Sequence, residues 1–113
     1  METMLEKLGK YGADTEGIER RFLGDMDLYE ACLAEFITDD SFSELGEALS
    51  DADYKRSFEH AHALKGVSGN MGLTPIYSEV CAIVEALRCK EYSGIEERYT
   101  EVMRQLEKLK KLI

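Results

Sequence analysis

Apolar residues recur at steps of three and four along almost the whole chain. The last repeat is the clearest, running through Ile95, Tyr99, Val102, Leu106 and Leu109. That spacing lines one face of an α-helix and matches no face of a strand. Proline, which would interrupt such a pattern, occurs once in 113 residues, at Pro75. The same reading gives a helix over about Thr3 to Tyr11, a brief segment from Glu16 to Phe22, and a stretch carrying Met26, Tyr29, Cys32, Leu33, Phe36 and Ile37. A short helix follows with Phe42, Leu45 and Leu49 inward, opened by a capping-box pattern, Ser41 to Glu44. Asp51 or Asp53 starts a helix that contains both histidines. Thr74 reads as an N-cap with Pro75 at the first helical position, and Ser93 to Glu96 as a second capping box before the last helix. Short connections between long amphipathic helices favour antiparallel neighbours. The expected architecture is therefore all-α, an up-down four-helix bundle with short N-terminal helical additions, forming a single domain over residues 1–113.

Charge narrows the function. With 23 acidic and 14 basic residues the net charge is −9, the wrong sign for a nucleic-acid or anionic-membrane surface. No stretch approaches the roughly 20 apolar residues of a membrane span, and Met1 to Lys10 lacks the apolar run of a signal peptide. Cys32, Cys81 and Cys89 each fall in an amphipathic stretch and read as reduced packing residues. The expected location is the cytoplasm, and the Met1 start reads as that of a complete small protein.

The most informative segment is HAHALKGVSGNMGLTP, His60 to Pro75. Each glycine inside a helix weakens it by roughly 0.5–1 kcal/mol relative to alanine. On a helix, Tyr54, Ser57, Ala61, Leu64, Ser68 and Met71 form a thin core-facing stripe, and His62 lies well away from it. Phe58, Glu59, Lys65, Gly66 and Gly69 share the side of His62. Gly66 and Gly69 would leave the backbone bare beside an exposed imidazole bordered by a lysine; close helix contact is the competing explanation for both. Gly72, just before Leu73-Thr74-Pro75, reads as a structural helix stop. His60 and His62 point about 200° apart and cannot chelate one metal, so no metal site is expected. His60 reads as a hydrogen-bonded boundary residue.

The run Ala61-His62-Ala63-Leu64-Lys65-Gly66, followed by Met71-Gly72-Leu73, resembles the signature of histidine-containing phosphotransfer (HPt) domains. That pattern is His-x-Leu/Ile-Lys-Gly, five residues, then Gly and a hydrophobic residue, and every position is filled. RFLGDMDLYEACLAEF is similar to the family's second helix. The resemblance implies a phosphorelay intermediate, with His62 accepting the phosphoryl group, Lys65 biasing the local field toward phosphate and Gly66 admitting a partner's loop. The implied partners are a response-regulator receiver domain and a hybrid sensor kinase. No cofactor belongs to the chain itself, and Mg²⁺ is expected on the partner receiver domain. An exposed imidazole keeps a free ring nitrogen as nucleophile, and phosphoryl transfer asks little beyond positioning and charge neutralisation. The sequence has no P-loop and no kinase nucleotide motif, which fits a carrier without autonomous kinase activity.

Phe58 is the leading apolar candidate for partner docking, with Glu59, Gly66 and Gly69 on the same surface. Many family members place Gln or Glu twenty-two residues after the histidine to hold the ring. Val84 stands there in this chain, leaving neighbouring Glu85 as the candidate for orienting the imidazole. A non-catalytic helical adaptor that binds a signalling partner without phosphate is the alternative function. A metal or redox bundle built on His and Cys is the least favoured.

Overall fold

The computed structural model describes all residues, Met1–Ile113. It is entirely helical, with α1 (Met4–Tyr11), α2 (Thr15–Arg21), α3 (Met26–Phe36), α4 (Ser41–Ser50), α5 (Tyr54–Asn70), α6 (Thr74–Arg88) and α7 (Ile95–Leu112). None of these helices is long and apolar enough to cross a membrane. α5 packs between α4 and α6, α6 packs on α7, and α7 touches both α4 and α1.

One continuous core joins the helices. It takes Leu45 and Leu49 from α4, Ala61 and Leu64 from α5, Ile76, Val80 and Ile83 from α6, and Val102, Leu106 and Leu109 from α7. Full burial of each such leucine, isoleucine or valine contributes roughly 1.5–3 kcal/mol. The apolar repeats read from the sequence are thus the faces that meet. Tyr99 completes the last repeat by lying half-buried with its hydroxyl donating to the Phe42 carbonyl at 2.9 Å.

Helix starts divide into two kinds. Thr3, Asp14, Asp25 and Asp53 each accept a backbone N–H through the side chain at the start of α1, α2, α3 and α5. The two expected capping boxes do not form. α4 begins after Asp40 with no side-chain cap, and the Ser41 N–H donates instead to the Asp39 carboxylate at 2.8 Å. α7 begins after Gly94, whose φ of 79° turns the chain sharply into the helix, so Ser93 lies outside the cap position. At α6 the N-cap is Leu73, and Thr74 already belongs to the helix with Pro75 in its first turn. In each case a turn set by the preceding residues shifts the helix start by one or two positions.

Candidate functional site

Asp53 fixes the start of α5 by accepting the Arg56 N–H at 3.2 Å. From there the helix shows two unlike sides. Ser57, Ala61, Leu64 and Ser68 are buried, the thin stripe expected from the sequence, and the small Ser57, Ala61 and Ser68 let α4 and α6 come close. The buried serines bond within their own helix, Ser57 Oγ to the Asp53 carbonyl at 2.9 Å and Ser68 Oγ to the Lys65 carbonyl at 3.3 Å. No buried side-chain polar atom is left without a partner.

The other side carries His62. Its ring is exposed and lies 5.8 Å from the Phe58 ring, 26° from parallel. The Arg88 guanidinium lies 5.8 Å from the Phe58 ring centre. Phe58 is half-buried against the core, so it supports the imidazole and offers only part of its surface to solvent. Glu59 is exposed on the same side. Glu85 does not orient the ring: its carboxylate accepts from Arg88 at 2.9 Å and from Cys89 Sγ at 3.7 Å, and makes no bond to His62. Val84, the position expected to be polar in related domains, is 1% exposed and belongs to the core. The ring is therefore positioned by stacking and not by a hydrogen bond from α6.

The glycines separate by environment. A β-carbon on Gly66 would meet nothing within 4 Å, so the backbone there is open. On Gly69 it would lie 3.0 Å from Tyr77 Cε1, so this glycine makes room for the chain's own ring. Gly69 still lines the groove that holds His62, but the space its missing β-carbon leaves is taken by the chain's own Tyr77 ring. Gly72 has φ of 66°, and a β-carbon would press on Ile18 Cγ1 at 2.8 Å and on the Asp14 carbonyl oxygen at 3.2 Å. Its structural role is the one read from the sequence.

A groove of about 580 Å³ runs along this side, lined by His62, Lys65 and Gly66 at one end and by Asp14, Arg21 and Asn70 toward the other. Asp14 and Arg21 come from the start and end of α2, and no local spacing pattern points to them. Arg21 reaches Asn70 across 49 residues of chain, with Nε donating to its carbonyl at 2.9 Å.

His60 has the other environment. Its side chain is 22% exposed, with Nε2 3.3 Å from the Glu44 carboxylate of α4. It is the boundary histidine expected. Cys32 and Cys81 are half-buried, but Cys89 is exposed at the end of α6, which corrects its reading as a packing residue. Partial desolvation and the Glu85 carboxylate hold its thiol above the usual value, so it is not an activated thiolate. No group of three or more His, Cys, Asp or Glu side chains converges in the structure.

A family model described as the Hpt domain matches residues 27–112, from the start of α3 to the end of α7. The chain belongs to the Hpt domain family. Membership in the Hpt family assigns the domain to histidine phosphotransfer in phosphorelay signalling, where Hpt domains interact with receiver domains. No curated protein and no solved structure gives a significant match.

Proposed function

We infer that His62 is the phosphoryl-accepting residue of this Hpt domain and that its exchange partner is a response-regulator receiver domain. The observation that carries the assignment is the exposed His62 ring beside open backbone at Gly66, with Lys65 at the same end of the groove. His60, the other histidine, is mostly covered and faces a carboxylate that would repel phosphate.

In the proposed exchange a neutral ring nitrogen of His62 attacks the phosphorus of an acyl phosphate on the partner. The N–P bond forms as the bond to the carboxylate oxygen breaks, and the carboxylate leaves with the bonding pair. The proton on the other ring nitrogen passes to water. Lys65 offsets charge on the transferred group, while Mg²⁺ and the acidic pocket belong to the partner, so the chain is carrier and substrate without kinase activity of its own. Gly66 gives the partner's loop access to the backbone, and Phe58 and Glu59 border that approach. The packing order α4, α5, α6, α7, with α7 touching α4, supports an up-down four-helix bundle as the frame. We place this single domain, residues 1–113, in the cytoplasm, with a hybrid sensor kinase as the upstream source of phosphate.

Incubation with phosphoramidate followed by phosphate analysis tests the acceptor. Acid-labile, base-stable label is expected on the wild type and on His60→Gln, and none on His62→Gln. Undiminished label on His62→Gln overturns the assignment. Receiver binding that persists without label in the wild type would favour the adaptor.

A further inference from the structure

We propose that Arg21 is a docking cation for the acidic face of the receiver domain, placed at the far end of the His62 groove by the N-terminal helices. This inference rests on the relay reading and goes beyond the family match, which starts at residue 27 and includes neither α2 nor Arg21.

Three observations carry it. First, Arg21 lines the same groove as His62 and Lys65. Second, its guanidinium is tethered but not used up. Nε donates to the Asn70 carbonyl at 2.9 Å, which holds the plane against the end of α5. Neither Nη group has a hydrogen-bond or ion-pair partner, so a fork of donors remains for a carboxylate. Third, the local charge opposes that of the whole molecule. On a chain of net charge −9, the groove holds Lys65 and Arg21 against one acid, Asp14, whose Oδ1 accepts the Gly17 N–H, so cations outnumber acids there. An acidic partner is repelled by most of this surface and attracted at this groove, which orients its approach.

Distance decides between docking and phosphate binding. Arg21 is tied to Asn70, eight residues beyond His62, and eight helical residues span about 12 Å. That exceeds the reach of a phosphoryl group on the imidazole, so Lys65 serves the phosphate and Arg21 the protein that brings it. The simpler account is that Arg21 only caps the end of α5. It explains the Nε bond and leaves both Nη groups to solvent; the cationic balance of the groove is what favours docking.

The test compares two donors on the full chain. Isolated receiver domains, phosphorylated with acetyl phosphate, are screened for the one that exchanges fastest with the wild type, and phosphoramidate serves as the small donor. At low ionic strength, Arg21→Ala is expected to lower the second-order rate with the receiver about fivefold more than the rate with phosphoramidate, and Arg21→Glu further still. The difference should shrink at about 1 M salt, where the screening length falls to about 3 Å. Asp14→Asn retains an N-cap for α2 and removes the groove's only acid, so its receiver rate should rise. It also reads the same field should the Arg21 variants fail to fold. Equal losses with both donors, or no loss with either, overturn the docking role and leave Arg21 as a helix cap. A wild type that takes label from phosphoramidate but exchanges with no receiver overturns the partner assignment and this inference with it. Receiver exchange insensitive to Arg21 and Asp14 removes the inference alone.

Discussion

The two halves of α5 are held in opposite ways. At the carboxyl end, three residues distant in sequence converge on three consecutive carbonyls. The Tyr29 hydroxyl donates to the Met71 carbonyl at 2.7 Å, Arg21 Nε to the Asn70 carbonyl, and the Asp14 N–H to the Gly72 carbonyl at 2.9 Å, while Leu73 is fully buried. Around His62 and Gly66 the same helix has one stacked ring and an empty flank. The bonds at the end satisfy carbonyls that a helix terminus leaves over. A helix fixed in this manner can leave one flank uncovered without losing its position, and a bare, stationary flank suits repeated encounters with another protein.

The sharpest way to break the contrast is Gly72→Ala. The left-handed backbone and the pressure on Ile18 and the Asp14 carbonyl act together. Urea unfolding is expected to show a loss of about 2–4 kcal/mol. Next is Tyr29→Phe, which keeps the ring against Phe22 but strands the buried Met71 carbonyl, at an expected cost of about 1–3 kcal/mol in the same measurement. Burial raises the Tyr29 and Tyr11 hydroxyls well above the ordinary tyrosine value of 10.0. The folded state then holds these protons more tightly than the unfolded chain. Their contribution is complete below about pH 10 and is lost as pH rises toward the raised folded values. Unfolding midpoints measured across that range should fall with pH, and less steeply in Tyr29→Phe.

On the open flank the sign reverses. Gly66→Ala meets nothing and should stabilise the helix by about 0.5–1 kcal/mol while slowing exchange with the receiver. A gain in stability with no loss of exchange would show that this flank is not where the partner sits. The smallest effect is expected for Gly69→Ala, within about 0.5 kcal/mol either way, because the propensity gain is offset by displacing Tyr77. In a Tyr77→Ala background the gain of about 0.5–1 kcal/mol should return.

Much of this was legible beforehand because it follows from helical period. The buried stripe of α5 and the inward residues of α4 and α7 are fixed by three-and-four spacing, as is the separation of His60 from His62. The signature around His62 led to the family that the match over residues 27–112 establishes. What spacing could not supply was the environment opposite each residue. Gly66 and Gly69 look alike in the sequence and differ only because Tyr77 lies across one of them. Glu85 is adjacent to the expected orienting position, yet Arg88 and Cys89, three and four residues on, take its carboxylate. Arg21 and Asp14 enter the groove through contacts with the Asn70 and Gly72 carbonyls, which no local pattern encodes.

Stacking against Phe58, in place of a bond to a polar side chain, leaves the His62 ring exposed and without a hydrogen-bond partner in its own domain. In the proposed relay, nothing inside the domain then has to store or return a proton when phosphate arrives or departs. Bulk water handles that traffic in both directions, and whichever molecule covers the open side controls when the water is shut out.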